Sequence, residues 1–226
     1  MDVTRTFDLL ERYEKLYPIE DALVGNENGK WIKYSSQDYI KYSNLVSYGL
    51  LALGFKKGDK IASISNNRPE WNFMDMGMAQ IGVIHVPIYP TIGPEEYEYI
   101  FNHSEAKAVI VSSKILWNKI SSVVKNVDSI ESIYAFNNIE ELTSWKTIIE
   151  EGKKNEDKYK DEVLKIKKNI GKDEMVTLIY TSGTTGNPKG VMLSHNNLVS
   201  NFISSSKAHG LGIGHRVLSF LPLCHV

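Results

Sequence analysis

Short apolar runs alternate along the chain with longer segments whose apolar residues recur at helical spacing. The runs rich in β-branched residues predict strands at residues 60–64, 83–88, 108–111, 132–136 and 175–180. The segments between them predict helices that begin near Ser35, Pro69, Pro94 and Leu116. This repeated order of strand and helix is typical of a mostly parallel sheet with helices on both faces. We therefore expect an α/β fold.

Local signals mark several of the predicted helix ends. Ser35 and Asp38 form a capping-box-like start, and the helix that follows them is expected to end at Gly54. Pro69 is expected in the first turn of the next helix, where its missing N–H costs no intrahelical hydrogen bond. The apolar face of that helix, which predicts core packing, comprises Trp71, Met74, Met78 and Ile81.

The second half of the chain has less regular patterning. Residues 152–162 are dense in Lys, Glu and Asp, and they predict a solvated connector that leads into a short basic helix. Residues 196–209 predict another helix, for which Ser194 is the expected N-cap and His195 a structural residue. Residues 216–221 predict a last strand.

The most informative segment is the turn at residues 181–190, which is held between the strand 175–180 and a second apolar segment at 191–193. Its glycines let backbone N–H groups approach an anion closely, and its hydroxyls add neutral donors. Lys189 adds a compact positive charge, and Pro188 restricts the backbone just before it. The turn therefore predicts a phosphate-binding loop with the ligands Thr181, Ser182, Gly183, Thr184, Thr185, Gly186 and Lys189.

Two other interpretations of this turn were compared with phosphate binding. A polar hairpin turn that is rich in small residues would have a similar composition, but it would not require the lysine. The P-loop of nucleotide hydrolases needs Gly-Lys-Ser/Thr after four variable residues, with the lysine opening a helix. Here Pro188 precedes Lys189, Gly190 follows it, and a strand comes next, so the P-loop is excluded.

Composition narrows the class of protein and of partner. The chain has 226 residues, of which 42% are hydrophobic and 23% charged, which is ordinary for one globular core. The net charge of -1 gives no reason to expect a nucleic acid as partner. One cysteine excludes an internal disulfide framework and fits the cytoplasm. Charged and polar residues interrupt the apolar stretch 74–90, so no transmembrane span or secretory signal is predicted.

Two ordered motifs resemble those of the adenylate-forming enzymes, which include acyl-CoA synthetases, peptide-synthetase adenylation domains and luciferases. Residues 181–198 resemble the phosphate loop of that family and the segment after it, and residues 221–226 (Leu-Pro-Leu-Cys-His-Val) resemble its next motif. Three segments look most like the long-chain fatty acid–CoA ligases, namely residues 65–71, 82–91 and 102–107. His85 departs from the small residue expected in that branch, and medium-chain or aryl acids remain alternatives to a long-chain acid.

The resemblance implies a reaction in two steps. A carboxylate attacks the α-phosphate of ATP to give an acyl-adenylate and pyrophosphate, and the thiol of coenzyme A then displaces AMP. It implies catalytic roles for Lys189 and Thr184 among the phosphate ligands, and a place for His225 near the acyl and adenylate site. The alternative for His225 is an ordinary histidine at a strand end. Mg²⁺ is implied with ATP, but no metal ligand can be named.

The resemblance also implies that residues 1–226 are the N-terminal part of a large AMP-binding domain, without its remainder and without the small lid domain. We therefore expect a truncated chain with negligible turnover, from a cytoplasmic enzyme whose peripheral membrane association and oligomeric state stay open. The alternative from another class is a non-catalytic module that binds a partner. Cys224 has no assignable base, so a small buried residue is expected there rather than a nucleophile.

Overall fold

The computed structural model describes residues 2–27, 29–181, 186–210 and 214–224. The helices within these ranges are α1 (Asp8–Leu16), α2 (Ser36–Ala52), α3 (Pro69–Gln80), α4 (Pro94–Ser104), α5 (Lys114–Ile120), α6 (Lys146–Lys154), α7 (Glu156–Asn169) and α8 (His195–His209), with a 3₁₀ turn at Val124–Asn126. The strands are β1 (Leu23–Glu27), β2 (Lys30–Tyr34), β3 (Lys60–Ile64), β4 (Ile84–Ile88), β5 (Ala108–Val111), β6 (Ser132–Ala135), β7 (Thr143–Ser144), β8 (Met175–Thr181) and β9 (Lys189–Ser194).

The main sheet of the described residues has seven strands in the order β7-β6-β5-β3-β4-β8-β9. Every neighbouring pair from β7 to β8 is parallel, and only β9 runs antiparallel to its neighbour β8. Strands β1 and β2 form a separate antiparallel hairpin. The predicted α/β class with a mostly parallel sheet is therefore confirmed.

Helices cover both faces of this sheet, and alternate residues of each strand face the two sides. In β5, Ala108 and Ile110 belong to one buried cluster, whereas Val109 and Val111 belong to the other. The first cluster includes side chains of α1, α2, α3 and α6, and the second includes side chains of α4 and α5. The continuous apolar run of β5 is thus explained by burial on both sides, as is usual in a parallel sheet.

The helix-end signals in the first half of the chain agree with the structure. The Ser35 hydroxyl accepts from the Asp38 N–H at 3.0 Å, and the Asp38 carboxylate accepts from the Ser35 N–H at 2.9 Å. Helix α2 ends at Ala52, and Gly54 follows with a φ of 88°. Pro69 occupies the start of α3, as predicted.

Two predictions for the second half are wrong. The connector predicted at residues 152–162 is helical, because α6 continues to Lys154 and α7 begins at Glu156. Helix α7 buries Val163 against the core while most of its charged residues are exposed, so a dense charge pattern did not prevent a helix. The strand predicted at residues 216–221 is not found in the described stretch 214–224, where residues 214–222 are exposed and have no strand beside them.

Candidate functional site

The candidate site lies at the carboxyl ends of the parallel strands β4 and β8, where ligands usually bind in open α/β sheets. Of the predicted phosphate ligands, Thr181 ends β8 and Lys189 begins β9, and the two are register partners across this antiparallel pair. Gly186 has a φ of 136°, a conformation that favours glycine. The structure thus brings Thr181 and Lys189 together at the base of the loop, with both side chains exposed to solvent.

The remaining predicted ligands lie outside the described residues. They are Ser182, Gly183, Thr184 and Thr185 of the loop and His225 of the second motif. Their predicted roles therefore stay predictions.

Helix α4 contacts the end of β8 through a half-buried pair that sequence reasoning missed. The Tyr180 hydroxyl and His103 Nδ1 are 2.7 Å apart, and the two rings meet edge to face at 5.7 Å. The Tyr99 ring stacks on His103 with a centroid distance of 5.3 Å. Burial raises the pKa of Tyr180 to about 12, so the phenol is neutral at physiological pH. This contact gives the residue before the phosphate loop a rigid support.

An apolar cavity of about 350 Å³ opens beside the base of the loop. It is lined by Ile88, Tyr89, Ile92, Glu96, Ile100, Ile179, Tyr180, Thr181, Pro188 and Cys224. Thr181 and Pro188 therefore belong both to the predicted phosphate loop and to the cavity wall. The only signal in the sequence for this cavity was the run of apolar residues in β4 and β8, which does not distinguish a cavity from a packed core.

Cys224 closes part of this cavity and is almost fully buried, with 4% of its surface exposed. Burial raises the pKa of its thiol, which disfavours the thiolate that a nucleophile needs. The expectation of a small buried residue at this position is therefore confirmed.

A second, polar cavity of about 580 Å³ lies at the carboxyl ends of β3, β5 and β6. Its main charges are paired, because Arg68 Nε and Nη2 each donate to a different oxygen of Glu70 at 2.9 Å. Arg68 also donates to the side-chain oxygen of Asn137 at 2.9 Å and lies over the Phe136 ring. Burial alone would raise the pKa of Glu70, but Arg68 outweighs this effect and holds it below its ordinary value. This ion pair therefore stabilises the turn that leads into α3.

Two histidines are buried in the sheet and its surroundings. His195 Nδ1 lies 3.2 Å from the Thr6 N–H nitrogen and 3.0 Å from its hydroxyl, and Ser194 caps α8 as predicted. His85 Nε2 lies 2.7 Å from the Ser63 hydroxyl, and its Nδ1 lies 2.7 Å from the Asp75 carboxylate. Both imidazoles are buried and hydrogen-bonded to neighbouring elements, which confirms the structural role expected for His195.

Neither a metal cluster nor a membrane-spanning helix is found in the described ranges. No group of three or more His, Cys, Asp or Glu side chains there could hold a metal ion. Within the same ranges, no helix is both long enough and apolar enough to span a bilayer.

Comparison with known proteins gives consistent matches over nearly the whole chain. The family described as AMP-binding enzyme matches residues 10–226. Fatty acyl-CoA synthetase A of Dictyostelium discoideum is 34% identical in an alignment 227 positions long that covers 92% of this chain and 32% of that protein. Long-chain-fatty-acid–CoA ligase ACSBG2 of Xenopus laevis is 30% identical in an alignment 214 positions long that covers 91% of this chain and 29% of that protein. The chain thus spans about a third of the length of these curated relatives.

Solved structures agree with the fold. A putative long-chain-fatty-acid CoA ligase from Rhodopseudomonas palustris superposes with a TM-score of 0.76 at 19% identity, covering 98% of this chain and 52% of that one. A long-chain-fatty-acid-CoA ligase from Archaeoglobus fulgidus gives a TM-score of 0.66 at 20% identity, covering 91% and 40%. Together with the mostly parallel sheet, the match over residues 10–226 means that the chain belongs to the AMP-binding enzyme family of adenylate-forming ligases.

Proposed function

We propose that this chain is the N-terminal part of an ATP-dependent fatty acid–CoA ligase. The observation that carries the proposal is the shared wall of loop and cavity: Thr181 and Pro188 flank the phosphate loop and also line the apolar cavity. An acyl chain in the cavity would therefore have its carboxylate directed toward the phosphates of ATP. That juxtaposition is what carboxylate attack on the α-phosphate requires.

The residues of the loop have separate roles in this proposal. Lys189 neutralises the negative charge that accumulates on the departing pyrophosphate, and Thr181, Ser182, Thr184 and Thr185 donate hydrogen bonds to the phosphate oxygens. Backbone N–H groups at Gly183 and Gly186 approach the same oxygens closely. Mg²⁺, bound to the ATP phosphates, would supply further charge neutralisation, and we assign no residue of this chain to it. His225 would contact the acyl and adenylate moieties.

The acid is proposed to be a long-chain fatty acid. The apolar lining of the cavity favours an aliphatic or aryl group over a polar one. The likeness of residues 65–71, 82–91 and 102–107 to long-chain ligases, and the name of the Xenopus relative at 30% identity, favour the long-chain class. Coenzyme A is the proposed acyl acceptor, and the cytoplasm is the proposed location of the whole enzyme.

Residues 1–226 alone are proposed to have negligible turnover, because the chain spans about a third of its relatives' length. We therefore propose a chimera in which residues 1–226 replace the matching part of Dictyostelium fatty acyl-CoA synthetase A. This chimera is expected to catalyse ATP–pyrophosphate exchange that depends on a long-chain fatty acid. Robust acyl-CoA synthesis by residues 1–226 alone would contradict the proposed inactivity.

The first prediction is that Lys189→Ala lowers exchange by the chimera about 10²- to 10³-fold, the usual loss when one donor to a developing anion is removed. The matched control is Lys160→Ala, since Lys160 is an exposed lysine on α7 and far from the loop in sequence. Exchange is measured with labelled pyrophosphate at saturating palmitate. Normal exchange in Lys189→Ala would refute the role of this lysine.

A second candidate function is partner binding without catalysis. It is favoured by apolar side chains that are exposed at the β9 edge and in the segment 214–222, among them Met192 at 72% and Phe220 at 76% exposure. This candidate predicts a stable oligomer of the isolated chain in sedimentation, which Met192→Lys dissociates. A monomer at micromolar concentration would favour the ligase part over the partner-binding module.

A further inference from the structure

Asn67 lies in the turn between β3 and α3, where it contacts a part of the chain more than 150 residues away in sequence. Its amide Nδ2 donates to the carbonyl oxygens of Ser219 at 2.9 Å and Leu221 at 2.7 Å. Its Oδ1 accepts from the Leu223 N–H at 3.0 Å. One side chain thus satisfies three backbone groups within five consecutive residues, using its donor end and its acceptor end together.

The segment that Asn67 holds has few other attachments. Residues 214–222 are exposed and form no strand in the described part of the chain. Arg216 reaches the Asp21 carboxylate at 2.9 Å, and beyond Leu223 the chain enters the protein at the buried Cys224. The path from Ser219 to Cys224 therefore depends on Asn67 rather than on a sheet or helix.

We propose that Asn67 is a positioning residue that sets the path of residues 219–224 and so places Cys224 in the wall of the apolar cavity. An effect of Asn67 on catalysis rests on the proposed function, because residues 219–224 directly precede His225 of the second motif. The effect of Asn67 on the position of Cys224 does not depend on that function. It also assigns a purpose to one residue of the stretch 65–71, which sequence comparison could only associate with a subfamily.

The test uses Cys224 as a reporter, since it is the only cysteine among the 226 residues. Its burial and raised thiol pKa make it react slowly with a thiol reagent in the folded protein. Asn67 Nδ2 also lies 3.3 Å from the Ser219 hydroxyl, so Asn67→Ala removes this contact together with the three backbone hydrogen bonds. Asn67→Asp removes the donations while keeping the size of the side chain. Both variants are expected to increase the rate at which Cys224 reacts with an aromatic disulfide reagent by about tenfold or more.

The matched control is Asn66→Ala. Asn66 precedes Asn67 in the same turn, and its backbone N–H donates to the Ser112 hydroxyl. Because this bond does not involve the Asn66 side chain, the alanine variant keeps it. This variant is expected to leave the reaction rate of Cys224 unchanged. Equal rates in wild-type, Asn67→Ala and Asn67→Asp would overturn the proposal.

Leu223→Pro tests the same contact from the other partner, because it removes the backbone N–H that donates to Asn67 Oδ1. Since residue 223 lies outside the sheet and helices, this variant keeps the core even if a change at Asn67 does not. It is expected to accelerate the reaction of Cys224 and to add little in combination with Asn67→Ala. Full additivity of the two changes would contradict a shared contact.

Urea unfolding separates local release from global unfolding. Local release of the segment predicts that the rate of Cys224 modification rises more than the change in the global unfolding midpoint explains. A rise fully explained by the global midpoint would overturn the proposal. In the chimera, Asn67→Asp is further expected to lower palmitate-dependent ATP–pyrophosphate exchange. If exchange is unchanged while Cys224 reacts faster, the result supports the role of Asn67 in positioning residues 219–224. The same result contradicts the proposed role of the second motif in catalysis.

Discussion

The core histidines His85 and His195 each have defined hydrogen-bond partners that set the position of the imidazole. His195 is 1% exposed and faces the N–H and hydroxyl of Thr6, so its Nδ1 acts as an acceptor of the backbone hydrogen bond. His85 links β4 to β3 through Ser63 and to α3 through Asp75. These contacts satisfy the polar atoms of two imidazoles in the core that have no part in the proposed site.

His195 is predicted to make the free energy of unfolding depend on pH. Burial, followed by the charge of Arg5, lowers its pKa from 6.5 to about 4. Above pH 6.5 the imidazole is neutral in both the folded and the unfolded chain, so it contributes no pH dependence there. As the pH falls from 6.5 to 4, only the unfolded chain gains a proton, and the free energy of unfolding should fall by about 3 kcal/mol.

The measurement is urea unfolding at pH 7 and at pH 4.5, for the wild type and for His195→Asn. The variant is expected to lose less stability on acidification, because asparagine accepts from the Thr6 N–H without titrating. His209→Asn is the control, since His209 is exposed at the end of α8. Equal acid sensitivity of the wild type and His195→Asn would show that other groups dominate.

At the scale of elements, the contact between α2 and α6 depends on a glycine in each helix. A Cβ at Gly49 would lie 1.9 Å from the Ile148 carbonyl oxygen, and a Cβ at Gly152 would lie 2.1 Å from the Leu45 carbonyl oxygen. The two backbones therefore approach each other more closely than any other residue type permits. Glycine is costly inside a helix, so its presence at both positions indicates that close packing outweighs helix propensity.

The fourth prediction follows from this contact. Gly152→Ala is expected to lower the free energy of unfolding by about 1–3 kcal/mol, because the overlap with backbone must be relieved by moving a helix. Helix propensity alone would predict a gain of about 1 kcal/mol. Gly171→Ala is the control, since a Cβ there would make only ordinary contacts with Glu174. Thermal or urea unfolding that shows a more stable Gly152→Ala protein would contradict the packing explanation.

The elements also differ in how well their sequence signals predicted them. Strands β3, β4 and β5 were predicted within one residue, because their apolar runs are buried on both faces. The first turns of helix α7 were predicted as a connector because of their high density of charged residues. The apolar stripe around Val163 was the pattern that indicated a helix. Residues 216–221 have the composition of a strand but no neighbouring strand in the described structure, and composition cannot supply a pairing partner.

At the scale of the whole molecule, the cavity is assembled from elements that are distant in sequence. Ile88 ends β4 and Tyr89 follows it, Ile92 and Ile100 come from the turn into α4 and from α4 itself, and Cys224 comes from the last described segment. The phosphate-loop hairpin closes one side of it. The proposed site is thus a property of the tertiary structure, whereas the loop is a local one.

The fifth prediction concerns this cavity. Ile92→Trp is expected to fill part of the apolar cavity. In the chimera it should raise the KM for palmitate at least tenfold, which corresponds to about 1.4 kcal/mol of lost binding of the acid. The KM for ATP should change little. Shorter acids should be affected less. Ile115→Trp is the matched control, because Ile115 is an exposed residue on α5, outside the cavity lining. An equal rise for the acid and for ATP would contradict an acyl role for the cavity.

The sequence by itself determined the features that depend on neighbours along the chain. The α/β order, the Ser35–Asp38 capping box, Pro69 at the start of α3 and the composition of the loop at residues 181–190 all follow from local conformational preferences and from burial periodicity. Motif resemblance then indicated the family, which the match over residues 10–226 confirmed.

Only the tertiary structure decided the features that depend on contacts across the chain. The hydrogen bonds that join Asn67 to Ser219, Leu221 and Leu223, and the contact between His103 and Tyr180, link residues separated by about 75 to 155 positions. The cavity likewise brings β8 and Cys224 beside β4 and α4. No local pattern encodes such pairs, because the same side chains would satisfy local rules equally well with other partners. Packing of the sheet and its helices selects one partner for each, and the proposed site depends on that selection.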